Sequence, residues 1–218
     1  MLFEKNDRII FMGDSVTDCG RKRPVGEGLA EGVGAGYVRT IESFLNVYYP
    51  ELNLRITNMG ISGNTIAHLQ DRWQTDILDL NPDWVSILIG VNDVWRQFDE
   101  PAIPESAVQP EEFEAIYREL IEKTQDGVKG IILITPHFYE RYKQDPMRTR
   151  LDEYGSIVKK LAKEYGCLFI DTQTVFDQFM ENHYAAYLSA DRVHPNYAGR
   201  TLLAITILKA IGFDFGRL

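Results

Sequence analysis

Cysteine is scarce in this chain of 218 residues: Cys19 and Cys167 are the only two, and they form neither a disulfide framework nor a metal-ligand cluster. Long apolar runs are lacking as well. Val85 to Ile89 and Ile131 to Ile134 are among the longest, and both are strand-sized, far too short to span a bilayer. Met1 to Asp7 is charged and has no apolar stretch of the kind a signal peptide carries, so a cytoplasmic location is expected and no membrane partner. Positive charge is in deficit. The 23 Lys and Arg face 32 Asp and Glu, a net charge of −9, which argues against nucleic acid or another polyanion as partner. An acidic surface suits a neutral substrate without identifying one. Neither repeats nor low-complexity segments occur.

What is present is the composition of a soluble globular protein, 44% apolar and 25% charged. The length suffices for a hydrophobic core without staples, and one domain is expected over residues 1–218. Short apolar segments read as strands: Arg8 to Met12 (RIIFM), Asn53 to Thr57 (NLRIT), Trp84 to Ile89 (WVSILI), Gly130 to Thr135 (GIILIT) and Cys167 to Asp171 (CLFID). Several are apolar at consecutive positions, as strands covered on both faces are. Between them, Tyr37 to Tyr48, Ile66 to Leu80, Phe113 to Ile121, Leu151 to Tyr165 and Tyr197 to Ile211 carry apolar residues at helical spacing, which marks core-facing stripes. Strand and helix in alternation imply right-handed crossovers and a parallel sheet. Two irregular stretches, Cys19 to Gly36 and Gln97 to Pro110, read as pocket-shaping loops or as plain surface connections.

In an open parallel sheet, ligands bind at the carboxyl ends of the strands. The residues there are Gly13-Asp14-Ser15, then Asn58 to Asn64, Gly90-Val91-Asn92-Asp93, Thr135-Pro136-His137 and Asp171-Thr172. Ser15 sits in a glycine-containing turn and becomes a nucleophile only if a base takes its proton; alone, it could as well cap a helix. Among the four histidines, His68 falls within a helical pattern and His183 reads as a surface residue. His137 lies at the correct rim and competes with His194. His194 has Asp191 at i−3, so a turn can bring that carboxylate to the ring Nδ1, fix the tautomer and leave Nε2 to accept a proton. Pro195 stiffens this turn. Asp171, at the end of a strand, is the rival acid or else a helix cap. Donors for an oxyanion are the Ser15 N–H, the Gly63 N–H and the Asn92 side-chain amide; the competing readings are a turn glycine for Gly63 and a helix cap for Asn92. Trp95, Arg96 and Tyr184 are weaker candidates for sugar contacts, against ordinary packing.

Taken together, Gly13-Asp14-Ser15, Asn58-Met59-Gly60-Ile61-Ser62-Gly63, Gly90-Val91-Asn92-Asp93 and Asp191-Arg192-Val193-His194-Pro195 resemble the four blocks of the SGNH, or GDSL, hydrolases, in the family's order and spacing. The resemblance implies a flavodoxin-like three-layer α/β/α fold with a five-stranded parallel sheet in the order 2-1-3-4-5. It also implies Ser15 as nucleophile, His194 as base, Asp191 as the acid orienting it, Gly63 and Asn92 in the oxyanion hole, and neither metal nor organic cofactor. A narrower likeness, to intracellular bacterial acetylxylan esterases, rests on Gly13 to Arg21, Gly90 to Gln97 and Gln144 to Arg148. It implies removal of acetyl groups from xylo-oligosaccharides, with self-association carried as an option because related enzymes form homo-oligomers. Three alternatives stand beside it: a lipase, lysophospholipase or thioesterase of the same family; a metal-dependent phosphoesterase with Asp14, Asn92, Asp93 and His194 as ligands; and a non-catalytic carbohydrate-binding protein.

Overall fold

A computed structural model describes residues 1–217. Five parallel strands, β1 (Arg8–Gly13), β2 (Arg55–Asn58), β3 (Trp84–Leu88), β4 (Gly130–Ile134) and β5 (Leu168–Ile170), form one sheet in the order β2-β1-β3-β4-β5. This is the expected order. Side chains alternate between two cores. Ile10, Met12, Val85, Ile87, Ile131 and Leu133 point to one face, and Ile9, Phe11, Leu88, Ile132 and Ile134 to the other. Every one of them is buried, which explains why these strands read as continuous apolar runs.

Helices cover both faces. Working along the chain, they are α1 (Ser15–Asp18), α2 (Tyr37–Tyr48), α3 (Ile66–Asp76), α4 (Val91–Asp99), α5 (Pro110–Thr124), α6 (Pro146–Tyr165), α7 (Thr172–Met180) and α8 (Tyr197–Ala210). The apolar stripes of α3, α4, α5 and α6 fill the first core, and those of α2, α7 and α8 the second. Several boundaries differ from the sequence reading for local reasons. α5 and α6 begin earlier because Pro110 and Pro146 each occupy a first helical turn, the latter behind an Asp145 cap. α3 ends at Asp76, and Leu78–Leu80 is a separate 3-10 turn. β2 starts two residues later than expected, because Asn53 closes a 3-10 turn in the left-handed conformation, φ +48°. Residues Gln97 to Asp99, read as part of an irregular stretch, complete α4.

The order places the topological switch between β1 and β3. The chain leaves β1 for β2 on one side, and from β3 it proceeds to β4 on the other. A crevice opens at the carboxyl ends of such neighbours. The turn after β1 carries Ser15, and that after β3 carries Asn92.

Candidate active site

The first turn owes its shape to Gly13. A Cβ there would collide with the Thr17 side chain and the Leu88 carbonyl, so no other residue lets β1 turn this tightly. Asp14, rather than Ser15, caps α1: its carboxylate accepts the Val16 N–H at 2.9 Å. Burial pushes the Asp14 carboxyl up to about 7, against the pull of the Val16 N–H and of His194. The cap reading of Ser15 therefore passes to its neighbour, and the serine hydroxyl is left free. Ser15 Oγ lies 2.9 Å from His194 Nε2.

The histidine arrives from the opposite end of the chain, on the loop before α8. His194 Nδ1 is 2.6 Å from Asp191 Oδ2, so its N–H donates there and Nε2 accepts from the Ser15 hydroxyl. The other carboxylate oxygen of Asp191 accepts the N–H groups of Val193 (2.9 Å) and His194 (2.8 Å) and the Ser189 hydroxyl (3.0 Å). Burial works against the charge of Asp191, but the His194 ring and these further donors outweigh it and hold the carboxyl well below the usual carboxylate range. Arg192, at φ +69°, makes the reversal that lets residues 191 and 194 face each other. Arg200 steadies the loop by donating to the Pro195 carbonyl at 2.9 Å and to the Ala35 carbonyl at 3.1 Å. The Trp95 ring stands edge-on to the His194 ring, with centroids 5.9 Å apart, and the Arg96 guanidinium lies over Trp95.

The loop after β2 is laced to the nucleophile turn. Asn58 donates to the Thr17 carbonyl (2.6 Å) and the Val33 carbonyl (2.8 Å) and accepts the Gly60 N–H (2.9 Å). The Ile61 N–H reaches the Gly13 carbonyl at 3.0 Å. The Ser62 N–H and hydroxyl both donate to Asp18 Oδ2, at 3.0 Å each, and Arg23 donates to the same oxygen. Gly63 follows, exposed and at φ +83°, with open space where a Cβ would stand. It is a positive-φ turn glycine, and this is compatible with an outward-facing donor. Next to it, the Asn64 carbonyl accepts the buried Asn92 amide at 3.0 Å. That bond uses one N–H of Asn92 and leaves the second available. Gly90, not Asn92, occupies the cap position of α4. Asp93 instead caps α3, taking the Ile66 N–H at 2.9 Å, and burial pushes it up to about 7.

The rivals are placed elsewhere. His137 is buried beside Thr172 (3.2 Å) and the Tyr139 hydroxyl (3.3 Å), and burial pushes it down to about 4. Asp171 caps α7 through the Thr174 N–H and hydroxyl. His68 joins a reciprocal cap with Thr65, and His183 stacks on Phe179. Among the described residues, no three His, Cys, Asp or Glu side chains gather as a metal site. Two of the four ligands of the phosphoesterase alternative, Asp14 and Asp93, are engaged as helix caps. A hollow of about 630 Å³ beside Asp191 and Arg192 is lined by Tyr184, Asn182 and Glu140. Another of about 650 Å³, beside Gly63 and Arg96, is walled by Glu100 and residues 104–109, so the irregular stretch after α4 does shape a pocket. Cys19 to Gly36 instead backs Asn58 from behind, through the Val33 carbonyl. Sequence reasoning missed Asp18, Arg72 and Ser189. Each acts across a fold contact or through a common residue type, with no local signal to mark it.

A model of the GDSL-like lipase/acylhydrolase family matches residues 11–202. The chain belongs to that family. This GDSL-family protein is 48% identical to an acetylxylan esterase of Geobacillus stearothermophilus over 217 residues, 100% of this chain and 99% of the relative. The crystal structure of Axe2, an acetylxylan esterase from the same organism, superposes with a TM-score of 0.97, covering 98% of each chain. An α/β hydrolase enzyme from the metagenome of Lake Arreo, Spain, is 43% identical with a TM-score of 0.96, again over 98% of each chain. Solved structures of Axe2 include catalytic mutants substituted at a serine, a histidine and an aspartate: S15A, H194A and D191A. Among the described residues of this GDSL-family chain, no helix is long and apolar enough to cross a membrane.

Proposed function

We propose that this protein is a serine esterase that removes acetyl groups from xylo-oligosaccharides. The observation that carries the reading is the relay from Ser15 Oγ through His194 to Asp191, with links of 2.9 and 2.6 Å. His194 takes the Ser15 proton as Oγ attacks the ester carbonyl, and Asp191 stabilises the imidazolium that results. The Ser15 N–H, the Gly63 N–H and the Asn92 amide receive the oxyanion. Each such donor is worth about 3–4 kcal/mol in the transition state. His194 then protonates the departing sugar oxygen, and water enters by the reverse of the same steps to release acetate from Ser15. The roles of Ser15, His194 and Asp191 agree with the relative's catalytic mutants, whose substituted positions carry the same numbers.

The substrate reading draws on the relative's activity and on two hollows, one beside Asp191 and the other beside Gly63 and Arg96. Their linings mix apolar surface with charged and amide groups, Glu140, Asn182 and Arg192 on one side and Arg96, Glu100 and Glu105 on the other, which gives a hydroxyl-rich sugar both hydrogen-bond partners and apolar surface for its ring faces. Trp95, beside His194, Arg96, over the Trp95 ring, and Tyr184, 78% exposed in the first hollow, are the proposed sugar contacts. The test measures acetate release from acetylated xylo-oligosaccharides by wild type and Ser15→Ala, with p-nitrophenyl acetate and octanoate alongside. Wild type should act on the sugar and the acetate, and Ser15→Ala on neither. Preference for octanoate would move the enzyme to the lipase or thioesterase branch, and full activity in Ser15→Ala would end the serine mechanism.

A further inference from the structure

Apart from the relay and the oxyanion donors, one half-buried cation bonds to both of the turns that build the site. Arg72 projects from α3, with its side chain only 14% exposed. Its Nε donates to Asn64 Oδ1 at 2.9 Å, Nη1 to the Met59 carbonyl at 2.7 Å, and Nη2 reaches the Gly13 carbonyl at 3.3 Å. Asp76, one helical turn further on, takes Nη1 at 2.6 Å and fixes the plane of the guanidinium. The three other acceptors belong to the two turns that build the site. Gly13 lies two residues before Ser15. Met59 opens the loop that carries Gly63. Asn64 follows Gly63 and passes its own carbonyl to the Asn92 amide at 3.0 Å.

We infer that Arg72 is a positioning residue, one guanidinium that holds the nucleophile turn and the oxyanion loop in mutual register for the reaction proposed above, on which this inference rests. The residue type matters. A guanidinium presents five donors in a rigid planar fork, whereas the lysine ammonium offers three on a flexible stem and cannot hold a side-chain amide and two carbonyls at these separations. Register matters because an ångström of misplacement between reacting groups can cost about 10²-fold in rate. Arg72 touches none of the reacting atoms and acts through Asn64 and the backbone.

The experiment compares wild type with Arg72→Lys, Arg72→Ala and Asn64→Ala, each normalised to folded protein by near-UV circular dichroism. Turnover of p-nitrophenyl acetate is measured together with amide hydrogen exchange over residues 58–65. For Arg72→Ala, kcat should fall about 10²-fold with KM little changed, and the 58–65 amides should exchange faster. Millimolar methylguanidinium should restore part of the loss, and Arg72→Lys should not match wild type. Asn64→Ala should show a smaller loss of the same kind, and it decides the matter if Arg72→Ala fails to fold. A lowered melting temperature with unchanged kcat, or unchanged exchange over 58–65, would overturn the inference. A wild type that cleaves no ester would overturn the esterase reading by itself, while the exchange data would still show whether Arg72 holds the loop.

Discussion

The two halves of the site are built on opposite plans. The bonds that set the base are local: Asp191, Val193, His194 and Ser189 bond within a few residues of one another, on a loop where Asp191 is about half exposed and whose long-range ties, Arg200 to Ala35 and Tyr139 to Arg192, avoid the Asp191 carboxylate. The nucleophile and oxyanion half is held by contacts between distant segments. Asn58 bonds to Thr17 across 41 positions, Ser62 to Asp18 across 44, Asn92 to Asn64 across 28 and Arg72 to Gly13 across 59. A local device can tune chemistry with little bearing on the fold, whereas a device made of long-range bonds is part of the fold. Mutations should therefore separate activity from stability in the first half and couple them in the second.

The largest expected effect tests the local half. Asp191→Asn should lower kcat about 10⁴-fold, because the amide cannot hold the tautomer or balance the imidazolium. Its melting temperature should stay near that of wild type. Asp171→Asn should keep most of the activity, since that carboxylate caps α7 and bonds Thr174. The reverse ranking in steady-state kinetics would displace Asp191 from its role. Next in size is Asn92→Ala, with a kcat loss of about 10²–10³-fold. It also removes the bond to the Asn64 carbonyl, worth about 1 kcal/mol, so calorimetry should show Tm lower by roughly 2–4 °C. If Asp191→Asn destabilises the protein as much as Asn92→Ala does, the contrast between the halves is broken.

The same contrast explains what could be read from the sequence. The parallel sheet follows from the alternation of strand and helix patterns, and the strand order and the three layers from the family resemblance. The Asp191–His194 pair is visible at i−3 because its geometry is that of one turn. Ser15, Gly63 and Asn92 stand out as polar or flexible residues at strand ends, where the crevice of a parallel sheet lies. Asp18 and Arg72 could not be found that way: Asp18 meets Ser62 across 44 positions and Arg72 meets Gly13 across 59, and only the packing of α1 and α3 beneath the loops makes these two contacts. Helices α4 and α7 are absent from the sequence reading: each is only nine residues long, α4 starts inside the Gly90-to-Asp93 motif and its last turn runs into the prolines that follow. Asp14 and Asp93 were legible as motif members, yet their work as caps for α1 and α3 depends on backbone N–H groups whose direction the sequence does not state.

The smallest effect is thermodynamic, and its sign differs between the halves. Asp93 is buried, faces the Ile66 N–H, and feels Asp14 and Glu112; burial pushes its carboxyl up to about 7. A raised carboxyl binds its proton more tightly in the folded state. Its contribution to stability is therefore present below the unfolded value near 4 and is lost as pH rises toward 7, with a limiting slope of ~1.4 kcal/mol per pH unit. Asparagine can still accept the Ile66 N–H through its amide oxygen. Asp93→Asn should thus gain on wild type in urea midpoint as pH goes from about 4 to about 7, and hold that advantage above. Asp191 is held below the usual range, so its contribution is present above about 4 and fades as pH falls through its lowered folded value. Solvent screening of this half-exposed carboxylate keeps that second effect small. Urea titrations of both variants against wild type between pH 3 and 8 should give curves that diverge in opposite directions. Parallel curves would mean that neither carboxylate experiences the environment described for it, and the division into a local half and a buried half would lose its electrostatic basis.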